Sequence, residues 1–399
     1  MGLFIWKKRT GSNDSKNGIS QDQDFILSYA KSPSTVFSGV KKTFEKYSNP
    51  DNDPRGDWAR DNLTCNKTAS ERPNLYYPIT DPDTGIVYNP NPNRVWAYEK
   101  ERMRQVIAEG KVLFPKDGKG TPMYKRHRSE IRSDAKPFST LINTKINAVA
   151  TKEVQEIFGR QVFSYPKSVD LIMQLLNQLT RGSDVIIDFF SGSATTAHAV
   201  MQLNAEDGSK RRFIMVQLPE LCPEDSEAAK AGYATVSDIG KERIRRAGEK
   251  IKEDNKDKER IDELDIGFRV LKLDSTNMRE VYYAAGEYTQ DLLSQMEDNI
   301  KDDRTDMDLL YACLLEWGLP LSMPHTQEEI EGFTVHTYND GDLIACFDKH
   351  ISDAVVKKIA QRQPLRAVFR DASFAGSPEK INVEEIFKLL APNTSVRVI

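Results

Sequence analysis

Residues 184–220 read DVIIDFFSGSATTAHAVMQLNAEDGSKRRFIMVQLPE, and their order decides the fold class. Val185, Ile186, Ile187, Phe189 and Phe190 form a short apolar run, the pattern expected of a strand buried on both faces. Ser191, Gly192 and Ser193 break the run, and a helix-compatible segment follows from Ala194 to Leu203. A second apolar run, Phe213 to Leu218, ends in Pro219 and Glu220. Strand, glycine turn, helix, strand and acid in this order open a nucleotide-binding α/β unit.

Each part has a physical task. Gly192 lets the backbone approach a ligand, because it has no side chain to clash. Ser193, Thr195 and Thr196 offer hydroxyls and N–H groups at a helix start. A carboxylate just past the second strand, here Glu220, is placed to accept from ribose hydroxyls. A dinucleotide fingerprint needs three glycines, and this turn has one, with no pyrophosphate cradle. The pattern therefore suits an adenosine ligand without a bridging diphosphate, such as S-adenosylmethionine, and counts against a dinucleotide oxidoreductase.

The stretch DFFSGSATTAHAVMQLN resembles the cofactor motif of the amino-methylating DNA methyltransferases, commonly DxFxGSGTT, with Ala194 where that class usually has glycine. It is most similar to the modification subunit of type III restriction–modification systems, which methylates adenine at its exocyclic amine. Phe163-Ser164-Tyr165-Pro166-Lys167-Ser168 resembles the FxYPKP segment of that family, and Asp274-Ser275-Thr276-Asn277 resembles its DSSN stretch. WKKRTGSNDSKNGISQDQDFILSYAK resembles the segment that follows the family's catalytic motif, with Gln23-Asp24 where members often carry His-Glu or His-Asp.

The resemblance implies a Rossmann-like S-adenosylmethionine-dependent α/β core, interrupted by a target-recognition region and followed by an α/β domain. Residues 1–32 and 151–265 would form the core, 33–150 the DNA-reading insertion, and 266–399 a carboxy-terminal association domain. It further implies a cofactor pocket built from Tyr165, Pro166, Lys167, Asp188, Phe190, Gly192, Ser193, Thr195, Thr196 and Glu220. The implied partners are double-stranded DNA, a second modification subunit and a restriction (helicase–nuclease) subunit.

Composition narrows the classes. The chain has 399 residues, 39% hydrophobic and 29% charged, with net charge −4. No apolar stretch is long enough for a membrane span, and the amino terminus lacks the apolar length of a signal peptide and the Ser/Thr of a myristoylation signal. Cys65, Cys222, Cys313 and Cys346 are scattered, without the spacing of a zinc site or disulfide frame, which suits free thiols in the cytoplasm. Residues 100–136 hold 11 Lys/Arg against 5 Asp/Glu, an island of +6 in an acidic chain. It is either a solvated face or a surface for phosphates. Trp58, Trp96, Lys125, Arg126 and Arg128 in and near it are candidate DNA contacts, by stacking or charge. For Trp58 and Trp96 packing competes with that role.

Helices are expected over Val154–Phe158, Leu171–Leu179, from Ser237-Asp238 onward, from Ser352-Asp353 onward and over Val383–Leu390. Strands are expected at Phe25–Lys31 and Leu365–Phe369, and a hairpin about Asn339-Asp340-Gly341-Asp342. His198, after the glycine turn, reads as a packing or capping residue, not a base.

One part of the chemistry is missing. An adenine amine is a poor nucleophile, and the resembled enzymes hold it with an Asp-Pro-Pro-Tyr loop whose tyrosine stacks on the flipped base. No DPPY, NPPY or SPPY occurs in this chain, so no catalytic residue is assigned. Asp81-Pro82-Asp83 and Asn89-Pro90-Asn91-Pro92 read as turns. In the family's order that loop precedes the recognition region, so the expectation is an amino-terminally shortened modification subunit, inactive alone. The alternative is a non-catalytic module that holds DNA, cofactor or a restriction partner.

Overall fold

The computed structural model describes residues 2–11, 18–115, 117–279 and 299–399. Residues 12–17 of the amino-terminal segment and Lys116 of the basic island lie outside the described residues. The chain divides into two compact units, residues 1–267 and 268–399. Both mix helices with small sheets.

In the first unit, strand β1 (Gly2–Lys7) pairs antiparallel with β2 (Gln23–Ser28). The insertion that follows is built from short strands. β3 (Val40–Lys41) pairs later with β9 (Ala135–Lys136), and β5 (Ile79–Thr80) with β6 (Val87–Tyr88). β4 (Trp58–Asn62) and β7 (Val112–Leu113) flank β8 (Met123–His127). With helix α1 (Lys100–Ala108) they enclose a core of Leu63, Ile79, Tyr88, Trp96, Met103, Val106 and Tyr124. β10 (Leu141–Ile142) then returns to β1 in parallel.

Helices α2 (Asn147–Phe158) and α3 (Val169–Leu179) lead to β11 (Val185–Asp188). Helix α4 (Thr195–Asp207) connects it to the parallel strand β12 (Arg212–Met215). α4 packs on α3 and on α6 (Val236–Asp254), which follows the short α5 (Glu227–Lys230). α4 runs past Leu203 because Asn204 accepts from the amide of Arg211 and donates to its carbonyl, so the helix end and the next strand are tied together. Gly208, with φ 71°, then closes it.

Two expectations are corrected here. β11 is not buried on both faces: Ile186 is buried, but Val185 and Ile187 are about half exposed, because the strand pairs only with β12 among the described residues and carries helices on one face. The helix expected from Ser237-Asp238 onward starts one residue earlier, at Val236. Thr235 is the N-cap, in a reciprocal box with Asp238. The described strands of the first unit form several small sheets, not one continuous sheet.

In the second unit, α7 (Asp306–Glu316) precedes a five-stranded sheet in the order β13 (His325–Ile330), β14 (Phe333–Tyr338), β15 (Leu343–Cys346), β16 (Arg366–Phe369), β17 (Ser395–Val398). The Asn339–Gly341 turn joins β14 to antiparallel β15, with Asn339 and Asp340 in the left-handed region that Asn and Asp tolerate. α8 (Asp353–Gln361) and α9 (Ser377–Leu390) cover one face through Val355, Val356, Ile359, Val383 and Phe387. Asp274-Ser275-Thr276-Asn277 also belongs to this unit, where the Ser275 hydroxyl accepts from Lys301 and Arg304.

Candidate functional site

The turn after β11 is held from three directions. Asp188, at the strand end, accepts from the amide of Phe190 at 3.1 Å and from the Thr196 hydroxyl at 2.6 Å, which fastens the turn to the first residues of α4. Gln217, past β12, accepts from the amide of Gly192 at 2.8 Å. Val216 donates to the Asp188 carbonyl and accepts from Ser191, extending the β11–β12 pairing into the turn. From α6, Arg243 donates to the hydroxyls of Ser193 and Thr195, both at 2.8 Å.

This path requires left-handed backbone twice. Gly192 has φ 51° and Ala194 φ 60°. A Cβ on Gly192 would stand 3.3 Å from Phe163, so glycine is needed for conformation and for space. Ala194 takes the same region with only a methyl to place.

A cavity of about 320 Å³ opens beside the turn. Of the sequence-predicted cofactor residues, Tyr165, Pro166, Lys167, Asp188, Phe190, Gly192, Ser193, Thr195 and Thr196 line it, joined by Phe163, Ile172 and Ser191. Glu220 is not among the lining residues. It is exposed, and its backbone carbonyl accepts from Val236 at the start of α6. The side chains of Ser193, Thr195 and Thr196 are buried, and their hydroxyls are taken up by Arg243 and Asp188. The donors left at the helix start are thus the first-turn N–H groups, which have no intrahelical partner.

Two aromatic rings stand open at the mouth, Tyr165 at 85% exposure and Phe190 at 89%. Tyr165 is held at φ 58°, an unusual backbone for a bulky residue. Its neighbour Lys167 reaches Asp24 on β2 at 3.1 Å, and Lys8 on the strand end of β1 reaches the same carboxylate at 2.6 Å. Burial raises the Asp24 pKa, but hydrogen bonds from Lys8 and Lys167 outweigh it and leave the group below its ordinary value. Asp24 therefore stays ionised and links the amino-terminal hairpin to the cavity wall.

The sequence-predicted DNA contacts divide. Trp96 is fully buried, with its indole N–H donating to the Tyr77 carbonyl at 2.7 Å. Lys125 is buried too, paired with Asp51 at 2.6 Å and Asp53 at 2.5 Å. Neither offers a surface to a ligand in this fold, because each completes a closed core contact. Trp58 is half-buried and donates to Asp51. Arg126 pairs with Asp61 and lies over Tyr124, and Arg128 pairs with Asp134 and lies over Phe44. These two guanidiniums remain solvent-accessible. The basic island is in large part neutralised by local carboxylates.

Sequence reasoning missed Gln217, Phe163 and Arg243. For Arg243 a signal existed: it falls four residues after Ile239 and four before Ala247, on the buried stripe of α6. Its neighbours Glu242, Arg245 and Arg246 hid it in a charged helix. No group of three or more His, Cys, Asp or Glu among the described residues is placed to hold a metal ion, and no described helix is long and apolar enough to cross a membrane.

The DNA methylase family pattern for N6 and N4 amino methylation matches residues 2–244. The chain is 35% identical over 261 residues to the Type III restriction-modification enzyme StyLTI Mod subunit of Salmonella typhimurium, covering 63% of this chain and 38% of that protein. It is 24% identical to the EcoP15I Mod subunit of Escherichia coli over 100% of this chain and 65% of the relative. It is 30% identical to the Type II methyltransferase M.KpnI of Klebsiella pneumoniae over 59% of this chain and 60% of that protein. The chain thus spans less than two thirds of the length of each of these relatives. A glycine turn clamped between a parallel strand pair and a helix, within a match that covers more than half of the sequence, identifies the chain as a member of the N6/N4 DNA methylase family.

Proposed function

We propose that this chain supplies the methyl-donor side of a site-specific DNA adenine methyltransferase of the type III modification kind. The observation that carries this reading is the clamped Asp188–Thr196 turn beside an open cavity. S-adenosylmethionine fits the residues present. A backbone cradle that a Cβ would fill lies at Gly192, the first-turn amides of α4 lack intrahelical partners, and two exposed aromatic rings flank the mouth. When bound, the cofactor supplies an electrophilic methyl group. The chain's own residues bind and orient it. The Gly192 turn and first-turn amides of α4 receive its polar parts, and Phe163, Tyr165 and Phe190 exclude water from its apolar surface.

The Rossmann-like core is part of the same proposal, with β11, α4 and β12 as its nucleotide-binding unit. So are DNA as substrate, read by residues 33–150, and association with a second modification subunit and a restriction subunit through residues 266–399. The acceptor amine needs a carboxylate or amide, a backbone carbonyl and a stacking ring held together. Asp81 does not provide this. It is buried, and its carboxylate accepts from Thr84 and from the amide of Asp83 inside its own turn. That observation also favours the second reading, in which this chain alone is a binding or assembly module.

The decisive experiment is calorimetric titration of the purified chain with S-adenosylmethionine. Wild type should bind. Gly192→Val should weaken binding tenfold or more, since a branched residue in the left-handed region costs about 1–2 kcal/mol and its Cβ would press on Phe163 at 3.3 Å. Unchanged affinity in that variant would remove the cavity from the reading.

A further inference from the structure

Arg243 is the largest charged side chain sealed within the first unit, with 0% of its surface exposed. All its described hydrogen bonds leave from one nitrogen, Nη1, and all reach the cofactor turn: the Ser193 carbonyl at 3.3 Å and the hydroxyls of Ser193 and Thr195 at 2.8 Å. Its Nε and Nη2 have no partner among the described residues. A sealed guanidinium with idle donors is costly for the fold, and an apolar residue of like volume would avoid that cost. Its retention on the buried stripe of α6 needs another reason.

The neighbouring helix surface supplies one. Gly240, one turn earlier, brings α6 against the turn so closely that a Cβ there would stand 3.2 Å from the Gly192 carbonyl and 3.6 Å from Ala194. Gly240 sets how near the helix lies, and Arg243 sets the orientation of what it touches. The turn it touches contains two left-handed residues in three, Gly192 and Ala194, a conformation that persists only where surrounding contacts over-determine it. Asp188 and Gln217 hold the turn from the sheet side, and Arg243 alone among the described side chains holds the Ser193 and Thr195 hydroxyls from the helix side.

We propose that Arg243, backed by Gly240, is a positioning residue for the donor site: it fixes the Gly192–Thr195 turn from beneath without touching the ligand. The burial that lowers its pKa to about 10 leaves it cationic at neutral pH, and Glu153 favours the charge. This inference rests on the proposed donor site for its functional meaning, but the positioning itself is testable without ligand.

The test pairs hydrogen exchange of the free protein with calorimetry against S-adenosylmethionine, for wild type, Arg243→Met, Arg243→Lys and Gly240→Ala. In Arg243→Met, amides of residues 190–196 should exchange faster while those in the middle of α4 and α6 keep their protection. Cofactor affinity should fall roughly tenfold or more, the range for a lost charged hydrogen bond. Arg243→Lys, which keeps one cationic donor, should restore part of both. Gly240→Ala should loosen the same amides while altering the melting temperature little. Equal exchange in the turn for wild type and Arg243→Met would overturn the proposal. So would uniform loss of protection across the unit in both Arg243→Met and Gly240→Ala, the mark of a merely structural residue. Wild type that fails to bind the cofactor would defeat the donor-site reading, while the exchange data would still decide the positioning role.

Discussion

At the scale of single residues, burial decides which charges are available. Asp53 accepts from Arg55, Lys125 and His127, and Arg55 first, then Lys125, holds its carboxyl far below the usual carboxylate range. Lys125→Met should therefore lower the melting temperature of the first unit clearly more than Arg128→Glu, because it strips a buried carboxylate of one cation. Arg126→Glu with Arg128→Glu should weaken binding to duplex DNA with a reduced salt dependence, and leave cofactor affinity unchanged. Filter binding at several salt concentrations checks this; identical salt slopes for wild type and variant would make the island a solvated surface. His198 carries a different signature. Its ring Nδ1 is sealed without a partner among the described residues, although the residue as a whole is partly exposed. Burial first, then the cations Arg243 and Lys250, push its pKa down to about 3. A histidine depressed in the folded state is neutral in both states above its ordinary range, so it contributes no pH dependence there. Below about pH 6.5 the unfolded state takes a proton the folded state refuses, and stability should fall by about 1.4 kcal/mol per pH unit until the folded value is reached. Denaturant midpoints at pH 7 and pH 5 for wild type and His198→Leu measure this, and the variant should show the smaller difference.

At the scale of elements, the ends matter more than the middles. α4 begins at a left-handed Ala194 with no side-chain cap; the Asp188–Thr196 bond and the Arg243 contacts fix the hydroxyls of its first turn and leave the first-turn N–H groups uncapped. α6 begins with the Thr235–Asp238 box, and that start places Gly240 and Arg243 on the turn. Thr235→Ala should cost about 1 kcal/mol of stability in the first unit, with a smaller effect for Ser237→Ala, in urea titrations followed by circular dichroism. Because a frayed first turn moves Gly240, Thr235→Ala should also weaken cofactor binding.

At the scale of the molecule, the first unit leaves an apolar sheet surface open. Leu3, Ile5, Phe25, Leu27 and Leu141 alternate with buried or partly buried neighbours and lie side by side, through the pairings Leu3 with Leu27 and Ile5 with Phe25 and Leu141. Val185, Ile187 and Ile214 repeat the pattern on β11 and β12. These apolar strand faces are uncovered among the described residues. No Asp-Pro-Pro-Tyr occurs in the sequence, so this chain by itself is expected to transfer methyl groups to DNA several powers of ten more slowly than an enzyme that holds the amine with such a loop, since orientation supplies roughly 7–11 kcal/mol of such barriers. Tritium transfer from labelled S-adenosylmethionine to adenine-containing duplexes is the measurement. Robust turnover by the purified chain would mean that residues other than those named here build the acceptor site, and activity gained on adding a DPPY-bearing polypeptide would support the donor-side reading.

The order of residues was enough for the family and the strand–turn–helix–strand unit, and nine of the ten residues it offers for the cofactor line one cavity, because a glycine turn, its hydroxyl residues and the FSYPKS segment are local patterns with local geometry. It also placed the Asn339–Gly341 hairpin and two helices of the second unit, α8 and α9, where apolar periodicity and turn chemistry agree, but not α7. The direction of each side chain was not legible before the fold. Lys125 and Arg128 are three residues apart in one basic stretch, yet one closes a buried ion cluster and the other stays at the surface. Ser193, Thr195 and Thr196 occur as expected at a helix start, but their hydroxyls turn inward to Asp188 and Arg243, partners 8 and about 50 positions away in sequence. Composition and period fix which residues are apolar and where the chain turns; which of two charged neighbours is sealed depends on contacts between segments far apart in sequence, and those exist only after folding.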